Sequence, residues 1–145
     1  MKTLTLTQPW ANLVALGEKC IETRSWKTNY RGPLAIHAAK GFPGWARKLC
    51  CDMHEPEFYS SLRVPHGNYS YPELTLGVIV CVTSLVDCVP TEKIRGELRP
   101  KELAFGNYET GRWAWLLGPV EKRFGMAEFP VVGHLGLWDQ ELVLK

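Results

Sequence analysis

Nowhere in its 145 residues does the chain hold an apolar run close to the roughly 20 residues that a membrane-spanning helix requires. The opening Met1-Lys2-Thr3-Leu4-Thr5-Leu6-Thr7 alternates polar and apolar residues, so it lacks the continuous apolar core of a secretory signal. The five cysteines, at 20, 50, 51, 81 and 88, are odd in number and form no CxxC pair, which argues against a disulfide framework. Cys50-Cys51-Asp52-Met53-His54 offers soft ligands, but no second cluster completes the four that zinc usually takes. Reduced thiols on a packed helix are the expectation, with no metal and no cofactor. A reducing compartment, the cytoplasm, follows from the same cysteine usage. Also missing are GxxxxGK[ST], HExxH, GxSxG and the dinucleotide fingerprint, which disfavours nucleotide hydrolysis, zinc proteolysis, serine hydrolysis and dinucleotide redox chemistry. No internal repeat, charged tail or low-complexity linker occurs.

What is present fits one globular domain over residues 1–145, with 46% hydrophobic and 22% charged residues. The formal net charge of +2 hides an uneven distribution. Residues 17–48 carry seven basic groups (Lys19, Arg24, Lys27, Arg31, Lys40, Arg47, Lys48) against Glu18 and Glu22, a net of +5. Residues 49–145 carry nine basic and 13 acidic groups, a net of −4. A solvated basic face accounts for such a bias, and so does an anionic ligand.

The local patterns alternate strands with short helices. Leu4 and Leu6 among threonines read as a half-buried first strand. Pro9 opens a helix over residues 9–16 through Trp10, Leu13, Val14 and Leu16, and Gly17 stands where a left-handed cap falls. Cys20–Arg24 and Leu34–Ala38 are β-prone, and Gly44–Cys51 has helical spacing through Trp45, Leu49 and Cys50. Residues 54–73, with Pro56, Pro65, Pro72, Tyr59, Tyr69 and Tyr71, suggest an irregular excursion or lid. Leu76–Val82 is the strongest strand and continues towards Val86 until Pro90. Thr91-Glu92-Lys93-Ile94 resembles a capped helix start. Trp113–Leu117 is another strand, with shorter ones near Val131-Val132 and Leu142–Leu144. This order predicts a small mixed α+β sheet or barrel, not a parallel α/β sheet.

Three stretches carry a resemblance: Gln8-Pro9-Trp10-Ala11, then Gly17-x-Lys19-x-x-Glu22-x-Arg24-Ser25-Trp26, then Arg31-Gly32-Pro33-Leu34-Ala35-Ile36-His37-Ala38-Ala39-Lys40. Leu76-Gly77-Val78-Ile79, Gly111-Arg112-Trp113-Ala114-Trp115-Leu116 and the closing Gly133-x-Leu135-Gly136-Leu137-Trp138 agree with it. Together they resemble an ASCH domain, a PUA-like module named after a transcription coactivator. The resemblance implies a small mixed β-barrel with short flanking helices and a cleft lined by the Gly17–Arg24 element. It implies binding of RNA, DNA or a nucleoside-like ligand. In some relatives it implies catalysis, as a metal-independent ribonuclease or as an amidohydrolase on N4-acylated cytidine.

The residues make chemical sense for a ligand cleft. In an extended strand Cys20, Glu22 and Arg24 share one face, and Lys19 stands at its mouth. A carboxylate between lysine and arginine orients both cations, and the arginine fork suits phosphate or a base edge. Ser25, Trp26 and Lys27 follow in polar company, with Trp26 a candidate stacking platform. Arg31 and Lys40 extend the possible phosphate track. Glu22 and Arg24 also suit an ion pair that only closes the barrel. Trp10 and Trp115 read as core and His37 as a structural histidine. For an enzyme the candidates are Lys19 and Glu22. Amidohydrolase-like relatives, however, place a threonine at the position that Glu22 fills, so the hydroxyl is missing. A binding module is therefore the preferred class.

Overall fold

Threonine and leucine alternate at the N-terminus without a strong helix former between them, which favours extended chain. In the computed structural model, which describes residues 1–62, 74–124 and 129–142, this stretch is β1 (Lys2–Leu6). It is not half-buried: Thr3 is as inaccessible as Leu4 and Leu6. The second face of the sheet is covered too, by Phe124, Phe129, Val131 and Leu142 packed on Ala35, Ile79 and Val82. Next comes α1 (Trp10–Ala15), whose Asn12 N–H donates to Gln8 Oε1 at 3.0 Å, so the preceding glutamine caps the first turn. Ala11 and Val14 face the main core with Leu4, Ile36, Val80 and Trp115, while Leu13 faces a second cluster of Cys50, Phe58, Leu62 and Phe105. Burial of each aliphatic side chain contributes about 1.5–3 kcal/mol, so this short helix holds both layers together.

At Gly17 the backbone takes φ +76° and its N–H returns to Val14 O at 2.9 Å, as expected for a glycine-terminated helix. The N–H groups of Glu18 and Lys19 both reach Leu13 O at 3.0 Å and aim the chain into β2 (Ile21–Arg24). The remaining elements are β3 (Gly32–Ala38), α2 (Gly44–Cys51), α3 (Pro56–Leu62), β4 (Val78–Pro90), α4 (Pro100–Ala104), β5 (Trp113–Leu117), β6 (Lys122–Arg123) and β7 (Leu137–Asp139).

These strands form one seven-stranded mixed sheet in the order β2-β5-β4-β3-β1-β7, with β6 also on β4. Only the β1–β3 pair is parallel. The long β4 pairs β3 through its first half and β5 through its second, so it joins the two halves of the sheet. The sheet is open, in contrast to the barrel the resemblance implies. β7 covers β1 only from Lys2 to Leu4, and β2 pairs β5 alone. Beyond Leu4, Arg24 Nη2 donates to Thr5 O at 3.0 Å. A side chain spans the gap where a closed barrel would have a ladder.

Four local expectations are corrected. Residues 56–62 are helical, because Pro56 sits at a helix start where its missing N–H is harmless and Phe58 and Leu62 bury on one face. The rest of the expected excursion, with Pro65, Tyr69, Tyr71 and Pro72, lies outside the described residues. Thr91–Lys93 makes only a 3₁₀ turn, since Thr91 Oγ1 donates to Glu109 O at 2.7 Å instead of capping a helix. Near Val131 there is a single bridge, Val78–Pro130, and Leu142 belongs to no strand, with 143–144 outside the described residues. Among the described residues no helix is long and apolar enough to cross a membrane.

Candidate nucleic-acid interface

Several elements converge on a cleft of about 590 Å³. Thr5–Thr7 at the end of β1 and Glu22–Arg24 of β2 contribute to its lining. Trp10, Trp45, the loop from Ala104 to Asn107, and Arg112 complete it. The β2–β5 register sets Arg24 opposite Trp113, which brings Arg112 to the same cleft although 88 positions separate the two arginines in sequence. Thr23 ties the loop down, its Oγ1 accepting from Asn107 N–H at 3.0 Å. A Cβ on Gly106 would come within 2.8 Å of the Tyr108 ring and 3.1 Å of Thr23 Cγ2, so the floor is packed tightly enough to require glycine there.

Glu22 lies at the centre of a charged relay. Its Oε1 stands 3.4 Å from Lys19 Nζ and accepts from Thr23 N–H at 3.1 Å. Its Oε2 accepts from Arg24 Nε and lies 3.1 Å from Arg24 Nη2. The expected ion pair is therefore present, and it faces a cleft as well as bridging the open sheet. Lys19 is buried completely, its ammonium donating to Ile21 O at 2.5 Å and Phe105 O at 3.1 Å besides facing Glu22. Two hydrogen bonds to carbonyls and one ion pair thus hold the ammonium. The ammonium sits behind the cleft, holding Glu22 and the 104–107 loop in place. Nearby, burial and then the charges of Glu102 and Glu22 push the Tyr108 phenol well above its ordinary value.

The other anticipated ligand residues do not reach this cleft. Ser25 is exposed outside it. Trp26 packs edge-on against Trp115 at 4.8 Å, and its carbonyl accepts from Trp115 Nε1–H at 3.3 Å. Lys27 Nζ lies 5.5 Å from the centre of the Trp113 ring. Arg31 donates to Asp87 at 3.2 Å and to the carbonyls of Thr28 and Tyr30. Lys40 lines a different cavity of about 970 Å³ with His37, Val131 and Leu135. Of the anticipated ligand residues, the cleft brings together Glu22 and Arg24, with Lys19 behind them, while Ser25, Trp26, Lys27, Arg31 and Lys40 lie outside its lining. β2 ends at Arg24, and the following residues pack along the aromatic side chains of β5.

The structure adds Arg112, Asn107, Trp45 and Trp10. Arg112 belongs to a stretch already marked by the resemblance. Trp45 shares a helical spacing with Leu49 and Cys50, yet it is 64% exposed, because Ala46 and Cys50 are the residues that bury. Trp10 is half-buried, with its ring 5.9 Å from Phe58. His37 is structural as read: Nδ1 meets Thr5 Oγ1 at 3.1 Å, Nε2 meets Val131 O at 3.0 Å, and burial lowers its pKa.

The ASCH domain family model matches residues 4–124, most of the chain. The chain therefore belongs to the ASCH domain family, within the PUA-like superfamily. No curated protein matches it.

Proposed function

We propose that this ASCH domain is a nucleic-acid-binding module, with RNA its first ligand and the cleft between β2, α2 and Arg112 its site. One observation carries the reading: Arg24 and Arg112 line the same cleft, and Glu22, the carboxylate paired with Arg24, is compensated from behind by buried Lys19. The cleft so keeps a positive balance suited to phosphate. ASCH domains in general bind nucleic acids, which supports the same reading. Amidohydrolase or ribonuclease chemistry finds weaker support, because Lys19 turns its ammonium to backbone carbonyls and Glu22.

The test is a salt titration of oligonucleotide binding with Arg24→Gln, Arg112→Gln and the double variant, each checked for an intact thermal transition. Each lost phosphate contact should reduce the log–log salt slope by about 0.7 for a single strand. Arg31→Gln, engaged by Asp87 outside the cleft, should keep the wild-type slope. A double variant with wild-type affinity and slope rules the cleft out as the binding site.

A further inference from the structure

Of the two exposed tryptophans, Trp45 is open at 64% and Trp26 at 37%, and only Trp45 lines the cleft. An aromatic surface of that size in water is unfavourable unless something covers it. Its position is fixed by neighbours. The Trp45 ring lies 5.7 Å from Trp10 at a 48° tilt. Trp10 in turn meets Phe58 edge-on at 5.9 Å, and Phe58 meets Phe105 at 4.9 Å. A chain of rings running into the second core cluster thus supports one open aromatic face. Little ordering would be needed when a flat ligand settles on it.

The polar part of the same cleft is rich in donors. Among the described residues Arg24 Nη1, Arg112 Nη1 and the Asn107 side-chain NH₂ have no hydrogen-bond partner, while both Glu22 oxygens are engaged. An aromatic face together with unpaired guanidinium donors matches the two halves of a nucleotide, a flat base and an acceptor-rich phosphate. A base within a duplex has both faces covered by its neighbours. An unpaired base can leave its stack and offer a whole face to Trp45, which a base inside a duplex cannot.

We infer that the cleft takes one unstacked nucleotide of a single strand, its base lying on Trp45 and its phosphate held by Arg24 and Arg112. The inference rests on the nucleic-acid reading above and adds which strand state and which part of the nucleotide are recognised. It makes Trp45, not Trp26, the stacking residue.

The full chain should be tested by fluorescence anisotropy against four probes. These are a labelled single-stranded oligoadenylate, the same strand annealed to its complement, a base-free strand with the same number of phosphates, and adenosine monophosphate as competitor. Wild type should favour the single strand over both the duplex and the base-free strand by about tenfold, the range that base–aromatic stacking covers. Trp45→Ala should bind the single strand no better than the base-free strand, Trp45→Phe should retain most of the affinity, and Trp26→Ala should match wild type. Because Trp45 is exposed, its alanine variant should melt with wild type, and 2-aminopurine within the strand gives a second readout, quenched on binding by wild type and not by Trp45→Ala. If Trp45→Ala keeps full affinity while the double arginine variant loses it, stacking is refuted and the nucleic-acid reading stands. Equal affinity of wild type for duplex and single strand also overturns the inference. If the arginine variants bind as wild type does, the reading falls and the inference with it. Competition by the mononucleotide at concentrations equal to those of the strand would replace the strand with a free nucleotide as ligand and overturn the proposal as stated.

Discussion

Arg24 and Arg31 belong to one basic stretch, and the fold gives them opposite surroundings. Arg24 is half-buried, forks onto Glu22 and Thr5 O, and lines a cleft that also holds Arg112. Arg31 is exposed and spends its donors on Asp87 and on carbonyls of its own turn. Equal charge in sequence therefore becomes unequal field in space. The Arg24 guanidinium works beside low-dielectric walls, where a charge acts strongly on a neighbour, whereas Arg31 is screened by solvent and by its own carboxylate.

Stability should separate the two regions most sharply. Lys19→Met removes an ammonium that serves Ile21 O, Phe105 O and Glu22, and nothing else described there can donate to both carbonyls. Breaking a buried pair by deleting one partner costs about 3–5 kcal/mol. Arg31→Ala breaks an exposed pair with Asp87, worth about 0–1 kcal/mol. Urea unfolding of the two variants measures the contrast, and equal losses would mean that the Lys19–Glu22 relay is not structural.

Much of this architecture was legible in sequence for local reasons. The helix expected over residues 9–16 with its glycine end, the apolar run of β4 and the Trp113–Leu117 strand each follow from neighbouring residues. The Lys19-x-x-Glu22-x-Arg24 spacing led to the carboxylate and arginine of the cleft, because a strand puts positions two apart on one face. What was hidden depends on distant pairing. Arg112 and Asn107 arrive through the β2–β5 register and the Thr23 bond to the loop. The exposure of Trp45 was not legible, because two helical stripes compete on α2. Trp45–Leu49 looks the more apolar, yet Ala46–Cys50 is small enough to pack closely against its neighbours and is the stripe that buries. Lys40, three residues after His37, ends at another cavity altogether.

A smaller effect distinguishes the interior from the rim through Thr5, whose carbonyl takes Arg24 and whose hydroxyl meets His37. Trp138 Nε1–H donates to Thr5 Oγ1 at 3.1 Å, so that hydroxyl can donate its own hydrogen bond to His37 Nδ1 while Nε2–H donates to Val131 O. This arrangement suits a neutral imidazole. Burial, aided by nearby His134, lowers the His37 pKa from 6.5. Between 6.5 and that lower value the unfolded chain binds a proton that the folded chain does not, so stability falls as pH drops through this window. Melting temperatures between roughly pH 5 and 8 should show the decline in wild type and a flatter profile in His37→Gln. A profile unchanged by the substitution would assign the pH dependence elsewhere.

The least change of all is expected where the alternative chemistry would show itself. Hydrolysis of N4-acetylcytidine needs a group that attacks, or activates water to attack, the acyl carbon. Position 22 holds a carboxylate, not the hydroxyl that the resemblance implies for such chemistry. The hydroxyl of neighbouring Thr23 accepts the Asn107 N–H and is enclosed with the loop. Lys19 is fully buried with three partners, so an acyl group in the cleft would meet Glu22 and Arg24 before it met the ammonium. A positioned acid or base typically contributes about 10²–10⁴-fold to rate, and without one at the acyl carbon no turnover above the uncatalysed background is expected. Chromatography of N4-acetylcytidine incubated with the protein gives the result directly, with Glu22→Gln as the control. Cytidine release that Glu22→Gln abolishes would make Glu22 a catalytic residue and turn the cleft from a binding site into an active site.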